Sequence, residues 1–249
     1  DYHDLTPNGG GDSHKYEVVN PLNLSFYASQ ARSVSGINGI DVVRYGGNTN
    51  RYLKFETAPS GNVTRIIEYR NAGYQGAPIG TRDLQSKNGL IYINGNVFVQ
   101  GEIKGKVTVV SSQNVYYTGN VKYAGNQSYV NPNDSVAFLA RNKQFFLPTS
   151  LEVSGILYAE KSSSGNLALN AAYQSGTSAN GHQPIYDAGA SKLLGHFRHY
   201  GNIVMNGVAN TSVYQYDRAY VYDPNLKYYR PPGLPVEPDI RLVREAPNP

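Results

Sequence analysis

The sequence predicts an all-β chain built as a parallel β-solenoid, or β-helix. An irregular β-rich segment precedes the solenoid and a proline-rich cap follows it. One observation is an apolar/polar alternation that stays in phase across residues 89–125. Odd positions such as Ile91, Val97, Val99, Ile103, Val107, Val109, Val115 and Val121 are apolar, whereas even positions such as Asn94, Asn96, Gln100, Glu102, Lys104, Lys106 and Lys122 are polar. Successive side chains of a strand point to opposite faces, so the odd face is expected to be buried and the even face wet. A second observation is the spacing of Gly89, Gly95, Gly101, Gly119 and Gly125 on a six-residue lattice, which points to short strands joined by bends. A third is a match of the segment to itself at a shift of eighteen residues. That shift places Ile91 over Val109, Asn96 over Asn114, Val97 over Val115, Phe98 over Tyr116 and Val99 over Tyr117. It also places Gly101 over Gly119, Ile103 over Val121 and Lys104 over Lys122. An antiparallel meander would hold the alternation equally well, but like residues stacking on like is the mark of coils paired in parallel.

The elements follow in order. Residues 1–75 form the irregular N-terminal β segment, packed on the solenoid. Short strands are expected there at Leu24–Tyr27, Gly39–Tyr45, Tyr52–Thr57 and Val63–Tyr69, separated by turn signals such as Gly46-Gly47-Asn48 and Pro59-Ser60-Gly61-Asn62. Residues 76–221 form the solenoid. Beyond its alternating run lies a polar loop at Asn131-Pro132-Asn133-Asp134. Strands are expected at Ser135–Ala140, Leu151–Ala159, Leu193–Phe197 and Ile203–Val208. A long loop or strand pair is expected over 160–190, and a short weak helix near Asp187–Leu194. Residues 222–249 carry Pro224, Pro231, Pro232, Pro235 and Pro238. Proline cannot donate to a sheet ladder, so this tail is expected to be extended and to cap the stack.

Composition agrees. The chain has 249 residues, 40% hydrophobic but only 16% charged, with 22 Tyr and 26 Gly. Tyrosine suits pleated surfaces and glycine suits bends. With no cysteine, disulfides and thiolate chemistry are excluded. No run of apolar residues is long enough to span a membrane as a helix. The chain begins at Asp1 in a polar, glycine-rich stretch with no visible signal peptide, as expected of a mature or trimmed form. A net charge of +4 and pI near 9.0 permit attraction to DNA or anionic polysaccharide without demanding it.

The order of segments from residue 89 onward resembles the β-solenoid modules of bacterial pilin-like and type IV pilus accessory proteins, a group that includes DNA-binding competence pseudopilins of Thermus-type bacteria. The residues from Gly89 to Val110 look like the family's first coils, those from Val115 to Tyr123 like the next. The residues from Val136 to Lys143 and from Leu151 to Ala159 look like the following pair. Tyr222-Asp-Pro-Asn-Leu, Pro231-Pro-Gly-Leu-Pro and Leu242-Val-Arg-Glu resemble its closing motifs. In those motifs Asn225 stands where the family has arginine, Leu234 where it has phenylalanine and Val243 where it has tryptophan. The family's hydrophobic N-terminal helix has no counterpart. The resemblance implies an extracellular fold of bacterial surfaces, with pilus subunits or other cell-surface components as partners.

Candidate chemistry is sparse. His196 and His199 are three apart and would face opposite sides of a strand, so no zinc-ligand spacing is formed. Asp217 and Asp223 are the one close carboxylate pair in a β-rich region, and Asp223 precedes proline, where it serves to cap a turn. No cofactor or metal site is expected. The even face offers Lys104, Lys106 and Lys122 as a basic stripe, with Phe98 and Tyr116 stacked beside it. Such a surface tracks phosphates and stacks bases or sugars; it also serves as edge protection. The expected function is an extracellular, non-enzymatic, pilus-associated or pilin-like surface protein that presents a solenoid face for adhesion or assembly. A DNA-binding protein of natural transformation and a glycan-active β-helix enzyme are the alternatives.

Overall fold

The computed structural model describes Tyr27, Ser29, residues 39–71, 73–124, 133–146, 152–159, 167–169, 195–205, 216–221, Asp223, Leu226 and 229–234. Fourteen strands are defined there: β1 (Asp41–Tyr45), β2 (Arg51–Thr57), β3 (Thr64–Tyr69), β4 (Gly80–Asp83), β5 (Asn88–Ile93), β6 (Val97–Ile103), β7 (Lys106–Ser111), β8 (Val115–Tyr123), β9 (Ser135–Ala140), β10 (Gln144–Phe146), β11 (Glu152–Ala159), β12 (Leu167–Leu169), β13 (Gly195–Met205) and β14 (Tyr216–Val221). They join in one mixed sheet, and no helical element is defined among the described residues. The expected helix near Asp187–Leu194 lies outside the described residues. Tyr27, at the end of the expected strand Leu24–Tyr27, has helical backbone instead. The two strands expected around Leu193–Phe197 and Ile203–Val208 are one continuous strand, β13.

Most pairing is parallel and runs in three rows. One row aligns Arg51, Val97, Val115, Gln144 and Leu167, across β2, β6, β8, β10 and β12. A second aligns Val43, Ile91, Val109, Phe138, Leu157 and Ile203, across β1, β5, β7, β9, β11 and β13. A third aligns Phe55, Gly101, Val121, Val153 and His199. Among the described strands, the antiparallel pairings are β2 with β3 and β3 with β4, so β3 and β4 form a hairpin added beside β2. Thus β1 and β2, from the segment expected to be irregular, are full members of the parallel rows.

The rows curl around one interior. Val43, Ile91, Val109, Phe138 and Leu157 of the second row pack in the same cluster as Leu53, Phe55, Val99, Val115, Tyr117 and Val153 of the other two. Each fully buried side chain of this kind contributes about 1.5–3 kcal/mol. Strands change row at glycine. Gly101 (φ +111) and Gly155 (φ +112) sit where β6 and β11 pass from one row to the next. A Cβ at Gly101 would strike the Phe55 carbonyl oxygen, and one at Gly155 the Val136 carbonyl oxygen. The glycine lattice is therefore partly right. Gly95 lies in the bend between β5 and β6 and Gly101 bends β6 from within, both at positive φ, whereas Gly89 and Gly119 lie inside strands without positive φ and Gly125 falls outside the described residues.

The eighteen-residue register is realised for Ile91 with Val109 and for Val97, Phe98 and Val99 with Val115, Tyr116 and Tyr117. It then fails. Gly101 pairs with Val121, Glu102 with Lys122 and Ile103 with Tyr123. Gln100 on β6 thus faces three residues of β8, Thr118 to Asn120. The Thr118 hydroxyl donates to the Val99 carbonyl at 3.1 Å and helps close this bulge. The even face is also not uniformly wet: Leu90, Tyr92, Phe98, Thr108 and Val110 are all buried. Over the second row, a layer formed by Tyr27 and Leu234 covers Leu90, Tyr92, Val110, Ala137, Leu139 and Tyr158. Tyr27 donates its hydroxyl to the Gly233 carbonyl at 2.9 Å, and Thr108 donates to the Pro232 carbonyl at 2.6 Å. The described part of the proline-rich tail therefore lies across the broad side of the sheet.

Two side-chain groups tie the rows together. Gln144, fully buried, accepts from the Tyr117 hydroxyl at 2.5 Å and donates to the carbonyls of Phe138 and Tyr158 at 2.9 and 2.7 Å. Its polar atoms are thereby satisfied inside an apolar core, as burial requires. At the bend before β2, β6 and β8, Asn96 donates to Asn50 at 3.0 Å and Asn114 donates to Asn96 at 2.9 Å. The Lys143 amide donates to Asn114 at 3.1 Å and continues the ladder.

The buried tyrosines make the fold sensitive to alkali. Burial, aided by Tyr158, pushes the Tyr27 phenol up to about 12, and burial with Glu68 does the same at Tyr45. Burial alone holds Tyr117 well above its ordinary value. In the unfolded chain these phenols ionise near pH 10. Above that pH the unfolded chain releases protons that the folded chain keeps, so stability is full below about pH 10 and falls as pH rises towards 12. Urea denaturation from about pH 8 to pH 12 is expected to show a constant midpoint followed by a steep loss. A midpoint flat to about pH 12 would contradict the burial of these phenols.

Candidate functional site

The three lysines do not form one stripe. Lys104, in the bend after β6, places Nζ 3.1 Å from Oδ2 of the fully buried Asp134. The other oxygen of that carboxylate accepts the Gly105 amide at 2.7 Å. Lys122 pairs in register with Glu102, not with a residue stacked on Lys104, and places Nζ 3.1 Å from Glu152. Lys106 opens β7 and holds its ammonium 5.1 Å from the centre of the Tyr229 ring. The expected stack of Lys104 on Lys122 is lost because the bulge in β8 moves Lys122 by two positions.

Phe98 and Tyr116 do stack, with ring centres 4.4 Å apart and planes 7° from parallel. They belong to a longer column in which Tyr52 lies 4.7 Å from Phe98 and Phe145 lies 4.8 Å from Tyr116. The column follows from the first row, which aligns these four residues. Each inner ring has both faces covered by its neighbours, and Phe98 is only 1% exposed. A base or sugar needs a free ring face, so Phe98 and Tyr116 act as internal packing rather than as a platform. Burial raises the Tyr116 phenol above its ordinary value, against a hydrogen bond from Asn114 that lowers it.

The carboxylates and histidines are similarly placed within the scaffold. Asp223 is 4% exposed and lies beside Tyr123, whose phenol is held well above its ordinary value by burial and by that carboxylate. Asp217 pairs in register with His196. His199 is buried, with Nδ1 3.0 Å from the Val153 carbonyl. Among the described residues no group of three His, Asp or Glu is arranged to hold a metal ion. No described helix is long and apolar enough to cross a membrane.

A feature outside the even face stands out. The connection from β3 to β4 bounds an open surface concavity of about 460 Å³ whose lining residues, Arg70, Asn71, Gln75, Gly76, Ala77, Pro78 and Ile79, are all exposed. Tyr74 pins its middle. The Tyr74 hydroxyl lies 2.7 Å from that of Thr118, and its ring meets Tyr69 edge-on at 5.5 Å. Tyr74 also has φ +50, in the left-handed region that is costly for a bulky residue. The sequence holds a faint signal for this loop, a run of Gly, Asn, Gln and Pro directly after a strand. Such a run reads as an ordinary turn until Tyr74 is seen to anchor it.

The lysines separate by their partners. Lys104→Ala leaves a buried carboxylate without its cation and is expected to cost roughly 1–3 kcal/mol. Lys106→Ala removes only a cation–ring contact and is expected to cost under about 1 kcal/mol. Urea denaturation of the two variants measures the difference, and equal small losses would contradict a structural role for Lys104. Compared with family models, with curated proteins and with solved structures, the chain matches none significantly.

Proposed function

We propose that this chain is a parallel β-solenoid module of a bacterial surface protein, pilus-associated or pilin-like, that works by binding or assembly and not by catalysis. The observation that carries the reading is the repeated parallel register, in which like residues align from strand to strand. Asn50, Asn96 and Asn114 form one such row, Tyr52, Phe98, Tyr116 and Phe145 another. Coils paired this way make a stiff rod-like scaffold without disulfides, a property suited to an extracellular appendage. Its partners would be pilus subunits or other cell-surface components. The DNA reading is weakened, because Lys104 and Lys122 are held by Asp134 and Glu152 and the rings of Phe98 and Tyr116 are each stacked between two neighbours.

The solenoid part of this reading has a direct test. Excision of residues 97–114 removes one coil and brings Val115 into the place of Val97 beside Arg51. The shortened chain is expected to keep β circular dichroism and cooperative unfolding, at a lower melting temperature. An excision of similar length that is out of register is expected to prevent folding. If both excisions unfold the chain alike, coil stacking is wrong. The location is tested by shearing appendages from intact bacteria that produce the chain. Recovery with the sheared fraction supports the reading, and retention inside the cells overturns it.

A further inference from the structure

The hairpin of β3 and β4 stands apart from the parallel rows, and its connecting loop is built unlike an ordinary turn. The loop closes at its base, where the Ile79 amide donates to the Glu68 carbonyl at 2.9 Å. It is fixed at its middle by Tyr74, a residue in a strained conformation that its contacts with Thr118 and Tyr69 hold in place. The result is an open concavity on the exposed side of this loop.

Its lining has a definite chemistry. Arg70 supplies a guanidinium, Asn71 and Gln75 supply carboxamides, and Ala77, Pro78 and Ile79 supply an apolar wall. Among the described residues no carboxylate lines it. The nearby arginines are occupied: Arg65 and Arg82 of the hairpin pair with Asp83 and Asp41, and Arg51 of β2 pairs with Glu68. Arg70 makes no ion pair among the described residues. Ile79 is 49% exposed, a large apolar side chain left in water at the rim. The Asn71 side-chain oxygen accepts the Gly73 amide at 3.1 Å, and its Nδ2 keeps two N–H donors.

We propose that this loop is a binding site for an acidic saccharide, a sugar chain carrying carboxylates. The Arg70 guanidinium matches a carboxylate through two parallel hydrogen bonds. Carboxamides both donate and accept, as sugar hydroxyls do, whereas a phosphate only accepts. One guanidinium beside two carboxamides therefore fits a hydroxyl-rich, singly charged unit better than a polyphosphate backbone. The exposed Ala77, Pro78 and Ile79 offer an apolar surface to the C–H face of a sugar ring. This site uses none of the lysines or stacked rings and does not depend on the surface-module reading.

The test is titration of the full chain with an oligogalacturonate, the matching neutral oligogalactose and a short DNA duplex, followed by calorimetry and backbone amide shifts. Saturable binding of the oligogalacturonate is expected, with shifts at Arg70, Gln75 and Ile79. The neutral sugar is expected to bind at least about tenfold more weakly. Arg70→Ala is expected to weaken binding about tenfold or more, with Arg70→Lys intermediate because it keeps the charge but loses the fork. Gln75→Ala is expected to weaken it by roughly threefold or more. Both positions are exposed loop sites, so melting temperatures of the three variants are expected to stay unchanged, and each variant is checked for this. No binding at millimolar sugar overturns the proposal, as does binding indifferent to Arg70→Ala. A preference for the duplex that Arg70→Ala abolishes also overturns it, in favour of a phosphate polyanion. None of these failures bears on where the chain resides, which the sheared fractions read separately.

Discussion

Everything in this molecule rests on strand-to-strand parallel registry. Each strand of a row satisfies its backbone hydrogen bonds with the strands on either side, so the same side-chain position recurs at each step. Rows of like residues follow as a geometric consequence: aliphatic residues inside, asparagines at one bend, aromatic rings along one outer face. The registry also dictates where glycine must sit. At Gly101 and Gly155 the chain turns from one row to another while a neighbouring carbonyl fills the space of a Cβ. The curled sheet then buries an apolar cluster in which even a polar residue, Gln144, is accepted because three partners meet it.

The same registry consumes the groups that look most like a functional surface. Stacked rings cover each other's faces, and stacked amides satisfy each other. Lysines at the row edges meet the carboxylates that the next strand brings alongside, as Lys122 meets Glu152. What remains available for a partner is the part that does not repeat. The β3–β4 excursion is of that kind: it pairs antiparallel, leaves the rows and holds its loop by Tyr74. Stability and recognition are thus divided between repeated and unrepeated parts of the chain, as loops on a rigid scaffold commonly divide them.

The register was legible in the sequence as far as Val99 and no further. The bulge in β8 adds two residues, and a shift of two leaves every side chain on its original face. The alternation therefore continues unbroken through a change of register that moved Lys122 from the neighbourhood of Lys104 to that of Glu102 and Glu152. The wet face was misread for a different reason. Leu90, Tyr92 and Val110 are apolar residues on that side, and their cover comes from Tyr27 and the stretch from Pro231 to Leu234, far away in the chain. The loop of Arg70 and Gln75 was passed over because its anchor, Thr118, is remote in sequence as well.

By itself the sequence determined the β-class, the parallel stacking of the central segment, and the rows headed by Ile91, Asn96, Val97 and Phe98. These depend on period and repeat, which are local properties of a chain. Tertiary structure alone decided which of the two faces is covered, which carboxylate each lysine meets, and where a concavity forms. These depend on contacts between segments distant in sequence, and no periodicity records such contacts. The eighteen-residue repeat thus fixed the scaffold, and the departures from it fixed the surface.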